Sequence, residues 1–269
     1  MPSLDAPESI AGRFAKIMLI GDSGTGKTGS LISLLEAGYH LHFIDMDNGL
    51  KFIANWCRKN RPDLLSKVDY VYCRDKYYPH PTEGMKFKPP ASAYIKASRL
   101  LDKWEDGSEP SKWGESHVLV VDSLTYLGYA ALNQAYTLMP ASASGAKPNG
   151  MQIYGMAGEA ISNFMMAVMG ENFGTNVILI THISYQDLES GARKGLPTTI
   201  GQKASEKAPG LFNDMFLCEQ KGTGDKVRRV IRCVPNPTID AKTSALDLPP
   251  ELPLETGMAT IFEALRGKL

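Results

Sequence analysis

Only four cysteines, Cys57, Cys73, Cys218 and Cys233, are spread through 269 residues, none in a C-x-x-C pair and none with a histidine at a zinc-finger interval. That spacing excludes a disulfide-stapled miniature and argues against a structural zinc site, so reduced thiols are expected. Net charge is also missing, because 29 Lys plus Arg balance 29 Asp plus Glu. A protein that coats nucleic acid by bulk attraction carries an excess of positive charge, so any such contact has to be local or built by assembling subunits. There is no long apolar run. Val177-Ile178-Leu179-Ile180 is typical, far short of the ~20 residues that span a bilayer, and Met1-Pro2-Ser3-Leu4-Asp5 lacks a basic start leading into an apolar stretch. No membrane partner is expected, and the expected location is cytoplasmic. Internal repeats and low-complexity tails are absent too. With 43% hydrophobic and 22% charged residues, the chain reads as one globular domain, at most with a small appendage.

What is present is an alternation of two patterns. Runs at 16–20, 41–44, 68–72, 117–121 and 176–180 are close to continuously apolar and several are rich in β-branched residues, as expected of strands covered on both faces. Helical spacing appears over 27–36, closed by Gly38; 49–59, stopped before Pro62; 91–104; 124–138, ended by Pro140; and 151–169, ended by Gly170. The order predicts an α/β fold with a largely parallel twisted sheet flanked by helices. Met165, Met166, Val168 and Met169 read as core packing rather than a cofactor stripe. Three stretches predict loops: 74–90, which mixes Tyr77, Tyr78 and Phe87 with Arg74, Lys76, Lys86 and Lys88; 139–150, which is small and polar; and 184–210, which is long and charged. After Met215 come β-rich runs at 215–218 and 227–234, a Pro-rich stretch at 235–253 and a short helix at 258–265. The predicted division is an N-terminal extension at 1–15, a core at 16–234, and a β-rich, Pro-rich C-terminal extension with its helix at 235–269.

Between the first strand and the first helix lies Gly21-Asp22-Ser23-Gly24-Thr25-Gly26-Lys27-Thr28, a fit to G-x-x-x-x-G-K-[ST] in the place that motif requires. Its glycines let successive backbone N–H groups turn inward, and the following helix aims its positive end at the same spot, so a polyphosphate is the expected ligand. Lys27 would reach the β- and γ-phosphates, the Thr28 hydroxyl would ligate Mg²⁺, and Ser30, just beyond the loop, is counted with the nucleotide-binding residues. His117-Val118-Leu119-Val120-Val121-Asp122 supplies an apolar strand ending in a carboxylate, placed to hold the Mg²⁺ shell from a neighbouring strand. No N-K-x-D sequence occurs, which favours ATP over GTP, and Asp22 and Ser23 stand where a ParA-like loop would need a second lysine.

With those motifs in that order, the chain resembles the RecA-type P-loop ATPase core, in particular the compact phage-encoded versions that include single-strand annealing proteins and RecA-like recombination ATPases. The similarity runs from about Lys16 to Val234. Phe43-Ile44-Asp45-Met46-Asp47-Asn48-Gly49-Leu50 looks like the family's strand that ends in a catalytic acid. The matching position is Asp47, one methylene shorter than the usual Glu, which bears on the hydrolysis rate. Asp45 is the competing candidate. Val177-Ile178-Leu179-Ile180-Thr181-His182-Ile183-Ser184 is similar to the strand whose terminal polar residue senses the γ-phosphate and opens the second DNA-binding loop, with His182 where RecA has Gln.

The resemblance implies that Arg193, Lys194, Lys203 and Lys207, in the stretch after His182, grip single-stranded DNA, and that 139–150, with Lys147, occupies the place of the first DNA-binding loop. It also implies a homo-oligomer, ring or filament, in which Arg228, Arg229 or Arg232 acts on the nucleotide of a neighbouring subunit. A single-strand-binding protein is a candidate partner. Little chain precedes the first core strand and no separate DNA-gathering domain follows, so annealing or strand coating is expected over strand exchange. Two alternatives stay open at this level. One is a nucleotide-binding regulatory or packaging ATPase that never touches DNA, supported by the zero net charge. The other is a small-molecule kinase that closes Arg193 and Lys194 over a second substrate.

Overall fold

Residues 14–82, 84–139, 149–188 and 191–267 are described by the computed structural model. Its strands are β1 (Lys16–Ile20), β2 (His40–Asp45), β3 (Val68–Tyr72), β4 (Tyr77–His80), β5 (Gly84–Phe87), β6 (Gly114–Asp122), β7 (Thr175–Thr181), β8 (Ile183–Asp187), β9 (Arg193–Pro197), β10 (Asp214–Lys221), β11 (Arg228–Arg232) and β12 (Glu251–Pro253). The helices are α1 (Lys27–Ser30), α2 (Ile32–Glu36), α3 (Lys51–Asn60), α4 (Ala93–Asp102), α5 (Leu124–Leu138), α6 (Gly150–Met169), α7 (Gln202–Lys207) and α8 (Leu254–Leu265).

Eight strands form one sheet in the order β12-β11-β10-β1-β7-β6-β2-β3, parallel from β10 to β3 and antiparallel at β11 and β12. Its central strands are continuously apolar because both faces are covered. Alternation divides each run between two cores: Met18 and Ile20 of β1, Leu119 and Val121 of β6, and Val177 and Leu179 of β7 pack with α4, α5 and α6. Ile17 and Leu19, Val118 and Val120, and Ile178 and Ile180 face the opposite core with α2, α3 and α8. The predicted α/β fold with a largely parallel sheet is the fold observed.

Register is what builds the site. Ile20 lies opposite Thr181, Asp122 opposite Ile180, and Asp45 opposite Asp122. The carboxyl ends of β1, β7, β6 and β2 therefore finish at one level, and the residues that follow them share one edge, where ligands of open α/β sheets bind.

Three expectations change. The single helix predicted over 27–36 is two pieces, α1 and α2, separated at Leu31. Ser30 and Ser33 each donate a side-chain hydrogen bond to the carbonyl three residues earlier, and Leu31 N–H closes onto Thr28 O, which tightens the turn. The stretch predicted as a loop over 74–90 contains the antiparallel hairpin β4–β5. That over 184–210 contains a second hairpin, β8–β9, and then α7. The β4–β5 strands are mostly exposed and the β8–β9 strands mix charged, polar and Gly/Pro residues, so the apolar alternation that marks a strand is weak in them. Within the C-terminal 235–269, Met215 bridges to Lys242, β12 extends the main sheet, and α8 packs on α1 and α2. The helix predicted from 258 begins at Leu254. Among the described residues no helix is long and apolar enough to cross a membrane.

Away from the site, His42 on β2 is buried at 5% exposure, its ring stacked on Trp113 and its Nε2 2.8 Å from Nδ1 of His117 on β6. Burial pushes its pKa down to about 4, with the two neighbouring histidines adding to the effect. An unfolded chain takes up a proton near 6.5 while the folded ring stays neutral, so protonation favours unfolding as the pH falls. Between pH 7 and pH 5 this ring should cost about 1–2 kcal/mol of stability. Urea unfolding at the two pH values should show that loss reduced in His42→Phe, and an unchanged pH dependence in the variant would contradict it.

Candidate nucleotide-binding site

The loop between β1 and α1 is shaped by two left-handed glycines, Gly24 at φ 79° and Gly26 at φ 95°, a conformation that side-chain-bearing residues avoid. Gly21 is needed for a different reason, since a β-carbon there would lie 2.5 Å from Cys218 O on β10. Thr25 Oγ1 donates to Asp22 O at 2.8 Å and closes the turn. Lys27, only 7% exposed, folds back so that Nζ donates to Gly21 O at 2.8 Å and Asp22 O at 2.9 Å. Burial pulls its pKa down, and the nearby Asp122, Asp47 and Asp22 charges oppose that pull. The Ser30 side chain is buried against Lys27 O, so it braces the loop's base.

Asp122 ends β6 at 2% exposure, and Thr28 Oγ1 donates to its Oδ2 at 2.6 Å. Burial pushes the Asp122 carboxyl up to about 7, with the Asp47 charge and the more distant Asp45 adding to the rise. The two acids that follow β2 separate cleanly. Asp45 is fully buried and turns its Oδ1 back to accept the N–H groups of Asp47 and Asn48 at 3.1 and 2.6 Å, which shapes the turn. Asp47, released by that turn, lines the pocket together with Lys27, Thr28 and Asp122. Burial and the Asp45 charge raise its pKa.

Gly49 marks the point of convergence. A β-carbon on it would meet Asp122 Oδ2 at 2.9 Å, Asp47 Oδ1 at 3.1 Å and Thr28 Oγ1 at 3.3 Å. Two carboxylates and a hydroxyl thus ring one small space kept open by the missing side chain. That hard-oxygen set fits Mg²⁺, which is held by one or two carboxylates plus substrate phosphates and water rather than by a full protein cage. No group of three or more His, Cys, Asp or Glu gathers as a metal site among the described residues.

His182 follows β7 and lines the same pocket. Its backbone N–H donates to Thr125 Oγ1, its carbonyl accepts from Thr198 N–H at 2.8 Å, and its ring meets Tyr126 edge-on. Burial, then the Lys27 charge, lowers its pKa. The pocket, about 570 Å³, is also walled by Ile32, Phe52, Trp56 and Leu254 and by Glu36 and Glu255. Leu254 lies against Gly26, and Phe52 leans over Gly29, whose β-carbon would lie 3.0 Å from the ring. Phosphates suit the P-loop of such a cleft and a nucleobase its aromatic walls.

Of the late arginines, Arg229 lies against its own chain's loop, where Nε donates to Gly24 O at 3.0 Å and the side chain lines the pocket. Arg232 is hydrogen-bonded to Glu219 and Glu251, at 2.9 and 3.1 Å, carboxylates it shares with Lys221. The cations expected to grip DNA are spread over two elements. On β9, Arg193 sits 4.5 Å over the Tyr185 ring and Lys194 pairs with Asp240 at 3.0 Å; on α7, Lys203 and Lys207 are exposed. Lys147 lies outside the described residues. Tyr185 OH donates to Asp22 Oδ2 at 3.1 Å and ties the β8–β9 hairpin to the P-loop.

The sequence reading missed Phe52, Trp56, Leu254 and Arg229 as pocket walls. Leu254 and Arg229 come from α8 and β11, more than 200 residues after the P-loop, and no local motif announces them.

Residues 13–245 match the family described as AAA domain. The chain belongs to this family. For an AAA domain, nucleotide binding at the P-loop is the shared property, and the sheet here is largely parallel and flanked by helices, with a strand-rich C-terminal region. The domain is distantly similar to three solved structures. The flagellar accessory protein FlaH from Methanocaldococcus jannaschii is 10% identical, with 88% of this chain and 83% of that one covered and a TM-score of 0.42. A KaiC-like protein from Pyrococcus horikoshii OT3 is 11% identical, with 81% and 78% covered and a TM-score of 0.41. The RadB recombinase is 14% identical, with 81% of each chain covered and a TM-score of 0.40. No curated protein matches.

If Phe52 faces a nucleobase, Phe52→Ala should weaken ATP binding about 5- to 10-fold while leaving the affinity for inorganic tripolyphosphate near wild type. Competition against a fluorescent ATP analogue checks both. Equal losses for the two ligands would remove the base from this wall of the pocket.

Proposed function

We propose that this AAA domain hydrolyses ATP with Mg²⁺ and uses the nucleotide state to control a grip on single-stranded DNA, as a homo-oligomer in DNA recombination or replication. The observation that carries the reading is a pair of links between the nucleotide loop and the cationic elements. Asp22 of the P-loop holds Tyr185, on whose ring Arg193 rests. His182, in the same pocket, accepts the Thr198 N–H just beyond β9.

Lys27 and His182 meet the γ-phosphate, and His182 donates a hydrogen bond in either charge state. Thr28 and Asp122, with Asp47 beside them, would hold Mg²⁺, which when bound neutralises phosphate charge that develops during cleavage. Asp47 orients a water and accepts its proton as the water oxygen bonds to the γ-phosphorus and the bond to the bridging oxygen breaks, leaving ADP with the electron pair. Asp47 lines the pocket beside Lys27, Thr28 and Asp122, within reach of a water at the phosphate end. Loss of the γ-phosphate then relaxes His182 and the segment it anchors.

The finer reading, a phage-encoded annealing ATPase working as a ring or filament in the host cytoplasm, rests on the motif resemblance. The zero net charge favours one competitor, a regulatory or packaging ATPase with no DNA contact. A steady-state assay separates them. ATP turnover should rise on addition of single-stranded oligonucleotide, and more weakly at higher salt. Asp47→Asn should lower turnover about 100-fold or more with ATP affinity within a few-fold of wild type. Turnover indifferent to DNA supports the competitor, and full activity in Asp47→Asn removes that residue from the chemistry.

A further inference from the structure

Exposed tyrosines gather beside Asp47. Tyr126 and Tyr129, in the first two turns of α5, are 44% and 50% exposed, with ring centroids 6.1 Å apart and planes tilted by 56°. Tyr77 of β4 stands across from them, its hydroxyl accepting from Asn133 Nδ2 at 3.1 Å. With Arg74 these residues line a groove of about 410 Å³ that is separate from the nucleotide pocket, and Asp47 lines both. Grouped exposed rings mark an interaction surface.

We propose that this groove takes bases of single-stranded DNA, stacked on Tyr126 and Tyr129, with the phosphate backbone led past Arg74 and along the base of the β4–β5 hairpin. The proposal rests on the DNA reading above and names a contact outside the β8–β9 hairpin and α7. Charge at the groove mouth favours a polyanion. Arg74, Lys76 and Lys88 are exposed, and the Lys88 N–H bond to Lys76 O at 2.6 Å holds the two lysines side by side. Two carboxylates also line the groove: Asp47 at the side shared with the nucleotide pocket, and Asp75, whose oxygens accept the N–H groups of Ser92 and Ala93 at the start of α4 and Asn133 Nδ2. The two rings are tilted away from each other rather than stacked, which leaves ring faces for a base, and stacking on aromatic side chains is indifferent to base identity.

The groove also explains how DNA is felt by the chemistry. Arg74 and Asp47 line the groove together, and Tyr126 meets His182 edge-on. A base on these rings displaces water beside both groups, so occupancy of the groove changes the surroundings of the water-activating acid.

The test uses the full chain, a fluorescein-labelled oligothymidylate and an ATP analogue. Tyr129→Ala should lower oligonucleotide affinity about 5- to 50-fold and blunt the stimulation of turnover, whereas Tyr129→Phe, which keeps the ring, should restore both. Independently of any variant, an oligonucleotide carrying 5-bromodeoxyuridine should photocrosslink to the peptide containing Tyr126 and Tyr129. If the wild type binds no oligonucleotide, the DNA reading itself fails and takes the groove with it. If the wild type binds, Tyr129→Ala binds equally well and crosslinks map only to 193–207, the groove proposal alone is overturned. A change in oligomer size in Tyr129→Ala, with oligonucleotide affinity unchanged, also overturns it and assigns the groove to a contact between copies of the chain.

Discussion

A buried carboxylate and a buried ammonium, with a second, partly buried carboxylate beside them, meet at the carboxyl edge of a parallel sheet, and the rest of the site depends on that arrangement. Asp122 and Lys27 are nearly fully buried, with Asp47 beside them. Left to themselves the acids are reluctant to ionise together, and burial holds the Asp122 carboxyl up near neutrality. A divalent cation and a polyphosphate resolve this mismatch, because the cation takes the carboxylate charge and the phosphates take the lysine and the inward-facing backbone N–H groups. The sheet register that aligns Asp45, Asp122, Thr181 and Ile20 is therefore more than a packing detail. A one-residue slip of β6 would turn Asp122 to the opposite face of the sheet.

How much of this can be read from the chain depends on how local each feature is. The P-loop is eight contiguous residues whose glycine positions match the backbone angles they must adopt, so it is legible directly. Asp122 is legible because a buried strand ending in an acid leaves few places for the side chain to go. The choice between Asp45 and Asp47 is not, since both follow the same strand. It is decided by which carboxylate folds back onto its own turn, and Asp45 does. The apolar walls of the pocket are least legible, because α2, α3 and α8 meet there only after the sheet has formed. The two hairpins read as loops for a related reason: they pair locally without a regular apolar alternation, so periodicity has little to record.

Residues just past β1, β7 and β2 also carry the site outward. Asp22 holds Tyr185, His182 holds Thr198, and Asp47 borders both the nucleotide pocket and the tyrosine groove. A change at the phosphates has short routes to two surface elements, each with aromatic rings and cations. The chain as a whole is neutral, so on the proposed reading a polyanion would be held by such local groups.

The central claim is that the space over Gly49 belongs to a divalent cation held by Thr28 and Asp122, with Asp47 facing it as the water-activating acid. Titrating Mg²⁺ against ATP affinity in wild type and Gly49→Ala tests it most directly, because the added methyl would stand 2.9 Å from Asp122 Oδ2 and 3.1 Å from Asp47 Oδ1. The account predicts that Mg²⁺ tightens ATP binding to the wild type, and that Gly49→Ala weakens the Mg²⁺-dependent part about 10-fold or more while metal-free binding survives. An alanine variant with the wild-type Mg²⁺ dependence would contradict it.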